Sequence, residues 1–294
     1  MAKTLQLKIG PRDIDMLSAI DRCPLTSAQL FRLCEVSSQP FCDVRDLRRR
    51  LRQLRQAGLL KSWPYAVASE GRSPHYFKLS QNGYRLLHGH DVTLPKRRFF
   101  EAISPGHHHH TMCLANLIVH LTVTAQAGGH TIEQFARENS VCLKADPFTI
   151  YPDAAFVVRR SDGQTFSFCV ELDNGTERVR SKLDVESIER KLRGYDAHQS
   201  QFDRFHPDRY LVLLVTTRSQ QRLQHMLNLA AMVMKQPNRT VFIGANLDTI
   251  LPADPFRDAV FTDHRSLKRM LIPMVTSMSK TSRSIPQTRP VVVL

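Results

Sequence analysis

The sequence predicts an α/β protein in two parts. The first is an α+β unit of three helices and a two-stranded hairpin; the second is an α/β unit on a mixed central sheet. Three observations carry this. Apolar residues recur at helical spacing in three short segments before Gly58, and two β-rich runs follow, at 59–63 and 75–79. Residues 151–173 hold two further β-rich runs around Ser161-Asp162-Gly163. Residues 209–217 (RYLVLLVTT) are apolar on both faces, as a covered sheet centre is, and a helical segment then leads to the strand-like TVFIGA. Strand–helix–strand with a right-handed crossover closes an α/β sheet. A chain of 294 residues has room for two domains. The expected boundaries are 1–90 for the first, 91–106 for a linker carrying Lys96-Arg97-Arg98, 107–275 for the second, and 276–294 for a basic tail.

A net charge of +14 favours a polyanionic partner, nucleic acid before an acidic membrane surface. Six scattered cysteines with no C-x-x-C pair suit buried thiols in a reducing compartment, not a zinc site or a disulfide framework. The first residues lack the apolar core of a signal peptide, and no apolar run is long enough to span a bilayer, so a cytoplasmic protein is expected.

In chain order, Pro11 can open a helix, where its missing N–H costs nothing, with Ile14, Leu17 and Ile20 on one side. Thr26 and Gln29 form a capping-box pattern for a second helix. A third spans residues 41–57 and stops at Gly58, burying Val44, Leu47, Leu51 and Leu54. Arg45, Arg48, Arg49, Arg52 and Arg55 lie largely off that stripe. Residues 42–61 carry seven Arg or Lys, including Arg50 and Lys61, against Asp43 and Asp46, an excess of five. A segment with Gly71-Arg72-Ser73-Pro74 joins the two strands, and Ser80 caps a helix through Leu87. The order QLRQAGLLKSW…SPHYFKLSQNGYRLL resembles a winged helix-turn-helix. That resemblance implies a third helix in the major groove and a wing on phosphates, with Arg45, Arg48, Arg49, Arg52, Arg55, Lys61 and Arg72 on double-stranded DNA. The plainer alternative is a solvated face with Asp46–Arg49 and Asp46–Arg50 pairs, or a protein-interaction module.

His107 to His110 invite a metal reading. Four consecutive helical residues point in four directions, however, so a helix start with one or two imidazoles toward the neighbouring domain is expected instead. An amphipathic helix with Leu114, Leu117, Ile118 and Leu121 follows and ends at Gly128-Gly129. Residues 132–138 give a first sheet strand, placing Glu133 or Glu138 near the acidic site.

If Ser161-Asp162-Gly163 is a three-residue loop with Gly163 left-handed, Arg160 faces Gln164 and Asp153 faces Glu171. Asp153, Glu171 and Asp173 then share one face, and Phe156, Val158, Phe166, Phe168, Val170 and Leu172 the other. A two-residue loop would split the acids between faces. Carboxylates that close repel unless a proton or cation lies between them, and Mg²⁺ is the usual cation for oxygen ligands.

These residues resemble the core of the PD-(D/E)xK nuclease superfamily, with its restriction-endonuclease-like domain. Pro152-Asp153 matches the PD and Glu171 the acid of the E-x-K strand, while Asp173 stands where the pattern has lysine. On the helix expected over 178–198, Lys191-x-x-x-Tyr195 looks like the Q-x-x-x-Y of the RecB-like branch, with lysine for glutamine. The stretch ELDNGTE…KLRGY, with a strand–helix–strand after it, resembles the replication-relaxation family of bacterial and plasmid proteins. The resemblance implies Mg²⁺ or Mn²⁺ on Asp153 and Glu171, with the Leu172 carbonyl, and Lys191 or Lys182 for the missing lysine. Two readings follow: a DNA-binding protein of a mobile element whose nuclease-like domain has lost cleavage, and a metal-dependent DNA endonuclease. In the first, Asp173 and Asn174 would cap the Gly175-Thr176-Glu177 turn. A transcription repressor with a ligand-sensing domain is a third, for which no ligand signature is present. Candidate partners are duplex DNA, a second copy of the chain, and mobile-element replication or transfer proteins.

Overall fold

Pro11 occupies the first turn of α1 (Pro11–Arg22), and Asp13 closes its start by accepting from the Gly10 N–H at 2.9 Å. The structure, a computed structural model, describes residues 7–66, 73–175, 187–203 and 206–274. Arg72, Lys182, Thr176, Glu177, the start of the helix expected from 178 and the tail 276–294 lie outside the described residues. Met16, Leu17 and Ile20 are the buried side of α1, whereas Ile14 is exposed, one position off the expected stripe. A short strand β1 (Leu25–Thr26) runs into α2 (Ser27–Cys34), whose capping box forms as expected. Gln29 N–H donates to Thr26 Oγ1 at 3.2 Å and Thr26 N–H to Gln29 Oε1 at 2.8 Å. Helix α3 (Val44–Gln56) starts later than the apolar pattern suggests because Asp43 is its N-cap, accepting from Arg45 and Asp46 N–H. Strands β2 (Leu60–Pro64) and β3 (His75–Leu79) pair antiparallel, β1 joins the far side of β3, and α4 (Gln81–His88) follows the Ser80 cap.

Gly83 fixes how α4 sits on this sheet. A Cβ there would lie 2.2 Å from the Leu59 carbonyl oxygen, a backbone atom that cannot swing aside. Gly83→Ala is therefore expected to cost about 1–3 kcal/mol, the range for an overpacked core position. Urea unfolding checks this, and an unchanged midpoint would contradict the packing.

The segment expected as a linker is packed against the N-terminal unit. In the 3₁₀ turn at Arg97–Phe100, Phe100 is buried, and the Lys78 ammonium donates to the carbonyls of Arg98 (3.2 Å) and Glu101 (2.7 Å). A second 3₁₀ turn at Pro105–His107 leads into α5 (His108–Ala127), which stops at Gly128-Gly129.

The second sheet is built from β4 (Thr131–Arg137), then, past a separate hairpin of β5 (Leu143–Ala145) and β6 (Phe148–Ile150), from β7 (Ala154–Arg159) and β8 (Thr165–Asp173). Helix α6 (Ile188–Gln199), β9 (Tyr210–Thr216), α7 (Gln220–Val233) and β10 (Phe242–Asn246) follow. A short α8 (Leu247–Ile250) precedes β11 (Phe261–Asp263) and β12 (Lys268–Arg269), two short strands of which β12 forms the sheet edge. The order is β12-β11-β10-β9-β8-β7-β4, with β8, β9 and β10 parallel and the remaining pairs antiparallel.

Side chains of β8 alternate between two cores, as period 2 requires. Phe168, Val170 and Leu172 face α5 in a core continuous with Leu17, Leu30 and Leu47 of the N-terminal unit. Cys169 faces α6 and α7 with Leu192, Tyr195 and Leu227. Polar bonds bind the two units as well: Gln29 Nε2 donates to Asn116 Oδ1 at 2.7 Å, and Arg137 to Asp21 Oδ1 at 2.9 Å. Arg32 donates to His120 Nδ1 at 2.8 Å, whose Nε2–H in turn donates to the Ala253 carbonyl at 2.9 Å.

Candidate nucleic-acid interface and acidic cleft

On α3, Leu47, Leu51 and Leu54 are fully buried, and that fixes the helix's rotation. Arg45, Arg48, Arg49, Arg52 and Arg55 are all exposed as a result. Asp46 pairs with Arg49 at 2.8 Å, but the expected Asp46–Arg50 pair is replaced. Arg50 reaches back to α1, with Nε 2.7 Å from Asp13 Oδ1 and a terminal nitrogen 2.6 Å from Oδ2, so it is a structural residue. The Arg50 guanidinium, set against the opposing cost of burial, holds the Asp13 carboxyl below its ordinary range. Lys61 is exposed, and its ammonium lies 3.3 Å from the Phe100 carbonyl.

The hairpin register is the expected one. Ala154 pairs with Val170 and Arg159 with Thr165; Arg160 N–H donates to the Gln164 carbonyl, and Gly163 has φ +87°. Asp153 N–H donates to the Val170 carbonyl at 3.0 Å, so Asp153 stands across from Glu171. Its Oδ2 accepts from Leu172 N–H at 2.7 Å, which fixes its rotamer.

Lys191 and Tyr195, one turn apart on α6, both close on Glu171. The Lys191 ammonium lies 3.0 Å from Oε2, and the Tyr195 hydroxyl donates to Oε1 at 2.6 Å. Tyr195 is fully buried. Burial pushes the Glu171 carboxyl up to about 7; Lys191 and the Tyr195 hydrogen bond oppose that, and the Asp153 charge adds to it.

His110, which sequence reasoning assigned no role at the cleft, places Nε2 3.4 Å from Asp153 Oδ1. Burial favours its neutral ring, yet the hydrogen bond and charge of Asp153 outweigh burial and raise its pKa. The other histidines diverge, as consecutive helical residues must. His108 faces the N-terminal unit, accepting from Ala66 N–H at 2.6 Å, and His109 lies beside Cys113. Glu133 pairs with Arg159 at 2.8 Å, away from the cleft. Glu138 follows Arg137, the partner of Ala154, and its charge bears on His110, so of the two it is the one at the acidic end.

Asp173 lines the same cleft, but its carboxylate does not join the other two. Arg222, in the first turn of α7, holds it in a two-pronged ion pair, Nε to Oδ2 at 2.5 Å and a terminal nitrogen to Oδ1 at 2.7 Å. Asn174 Oδ1 accepts from the Thr217 hydroxyl at 2.8 Å, so among described contacts it braces the β9 end.

His110, Asp153, Glu171, Asp173, Lys191 and Tyr195 thus line one small cavity of about 70 Å³ at the C-terminal end of β8. Among the described residues, no group of three or more His, Cys, Asp or Glu side chains is placed to hold a metal ion. Two carboxylates with water suffice for Mg²⁺, so Asp153 and Glu171 fit the requirement in kind. An arriving cation would displace Lys191 from Glu171 or His110 from Asp153. No helix among the described residues is long and apolar enough to cross a membrane.

Residues 21–209 match the family model described as replication-relaxation. The match runs from the end of α1 to the residue before β9 and takes in α3, α5, the β7–β8 hairpin and α6. No curated protein and no solved structure matches the chain.

Proposed function

The chain belongs to the replication-relaxation family, and from that premise we propose that it binds duplex DNA in the replication of a plasmid or other mobile element. The N-terminal unit acts as a winged helix, with α3 in the major groove and the β2–β3 hairpin as the wing. One observation carries this reading: α3 buries its leucines on the protein and leaves five arginines exposed on a chain of charge +14. Arg50, held by Asp13, sets the angle of the helix and does not contact DNA. Arg45, Arg49 and Arg52 follow i, i+4, i+7 spacing, so they can meet one groove together. Replacing all three by alanine is expected to cost about 3 kcal/mol of binding, at about 1 kcal/mol per lost contact, with folding little changed. Gel-shift titration at fixed salt measures it, and unchanged affinity would refute the reading.

A second reading, metal-dependent phosphodiester cleavage, is favoured by the Lys191 ammonium 3.0 Å from Glu171. That position supplies from α6 the cation that Asp173 does not supply from β8. Asp153, Glu171 and the Leu172 carbonyl would hold Mg²⁺ or Mn²⁺. Such a metal, when bound, lowers the pKa of water and offsets phosphate charge. Lys191 would steady the attacking water's position, Tyr195 the rotamer of Glu171, and His110 that of Asp153. Incubation of supercoiled plasmid with Mg²⁺ or Mn²⁺ tests it: nicking by wild type and none by Glu171→Ala supports cleavage, and intact plasmid with both leaves DNA binding as the function.

A further inference from the structure

We propose that the wing and the acidic cleft engage one and the same DNA strand, which crosses the first turn of α5 between them. This rests on the reading of the N-terminal unit as a duplex-DNA binder.

The argument starts from two residues of α5. His108 is buried on the N-terminal unit. Its Nδ1 accepts from Ala66 N–H at 2.6 Å, its Nε2–H donates to the Ile103 carbonyl at 3.0 Å, and its ring meets Tyr65 and Tyr76 edge-on. Ala66 follows β2 on the way to the hairpin tip, so His108 is fastened to the base of the wing. Two positions later His110 stands 3.4 Å from Asp153. Two helical residues span about 3 Å of axis and about 200° of rotation. The wing base and the acidic cleft therefore flank a single turn of one helix.

The surface between them suits a phosphate backbone. His107 and His109 are exposed, and residues 102–110 contain no acidic side chain. On the opposite rim of the cleft, exposed Arg218 is anchored through Nε to the Asn174 carbonyl at 2.7 Å. Arg222 lies beside it on Asp173. The Lys191 side chain, 29 % exposed, lines the cleft itself.

Size narrows what enters. A closed cavity of roughly 150 Å³ takes a benzene ring. The enclosed part of the cleft, at about 70 Å³, is under half that, which favours a phosphate group over a nucleobase. It sits at the C-terminal ends of parallel β8 and β9, where open α/β sheets bind ligands. The strand held by the wing thus passes His109, presents a phosphate to Lys191 and leaves over Arg218. Whatever the cleft does then happens at a fixed offset from the sequence read by α3.

Photo-crosslinking of the full chain tests this. A benzophenone side chain is placed at position 109 and, as a control, at position 267. Leu267 is exposed in the turn between β11 and β12, at the sheet edge far from β4. The probe is a mixed-sequence duplex labelled on either strand. The expected result is crosslinking from position 109 within the shifted complex, and background from position 267. In parallel, Arg218→Ala is expected to make the plot of log affinity against log salt shallower by about 0.9, the value of one lost phosphate contact. A shifted complex with only background crosslinking at 109, or an Arg218→Ala slope equal to wild type, overturns the shared strand while leaving the winged-helix reading intact. Failure of the wild type to shift duplex at all overturns that reading and this inference with it.

Discussion

Lys191→Ala will destabilise the folded chain by about 3 kcal/mol at pH 8 and by much less at pH 5. Lys191 and Glu171 form an ion pair whose carboxylate is buried, and removing one partner of such a pair costs about 3–5 kcal/mol. The lower figure applies because the lysine side chain is 29 % exposed. The pH dependence follows from Glu171, whose carboxyl burial pushes up to about 7 in the folded chain, from an ordinary value of 4.5. Between those values the folded state binds more protons than the unfolded one, so its stability falls as pH rises through the window. Below about 7 the folded chain holds Glu171 neutral, with no need of a counter-ion, so at pH 5 the alanine variant resembles wild type. Above it the variant leaves a buried carboxylate that, among the described residues, keeps the Tyr195 hydroxyl on Oε1 and faces the Asp153 charge. Urea unfolding at pH 5 and pH 8 checks the prediction. A loss equal at both pH values would remove the ion pair as its cause. Addition of Mg²⁺ or Mn²⁺ is expected to restore part of the loss at pH 8 if the cleft takes a cation, since a ligand bound only by the folded state stabilises it.

Arg222→Ala will cost about 3–5 kcal/mol, and Arg222→Lys will recover little of it. Asp173 is 8 % exposed, and the two nitrogens of Arg222 meet both its oxygens at 2.5 and 2.7 Å. The Thr216 hydroxyl, at 3.5 Å, is a marginal donor to the same carboxylate. Breaking the pair from one side leaves a buried charge. Lysine presents a point charge and cannot reproduce the planar two-nitrogen fork. Chemical unfolding at neutral pH measures both variants. A change below about 0.5 kcal/mol, typical of exposed ion pairs, would mean that Asp173 is solvated in solution.

Much of the site was legible because it depends on short-range rules. The three-residue loop at Ser161-Asp162-Gly163 sets the pairing of β7 with β8, and period-2 alternation then puts Asp153 and Glu171 on one face. The i, i+4 spacing of Lys191 and Tyr195 brings both to Glu171 once α6 crosses that face. The capping box at Thr26 and Gln29 and the Ser80 cap were equally local.

What could not be read depends on pairings between distant segments. Arg222 meets Asp173 because β9 lies parallel beside β8, so the helix after β9 begins at Asp173's end; nothing near Arg222 in the sequence signals this. Asp13 and Arg50, 37 residues apart, meet only through the packing of α1 on α3. His110 was obscured by its three histidine neighbours, and the direction of each ring was settled by what α5 packs against. Strands β11 and β12 are too short, at three and two residues, to show a period.

The salt dependence of duplex binding, measured for wild type and for the Arg45→Ala, Arg49→Ala, Arg52→Ala variant, tests the central claim most directly. If α3 lies in a groove with those three arginines on phosphates, the variant's plot of log affinity against log salt will be shallower than wild type by about 2.7, at about 0.9 per contact. Lines of equal slope and equal affinity, with the variant shown to be folded, would contradict DNA recognition by α3.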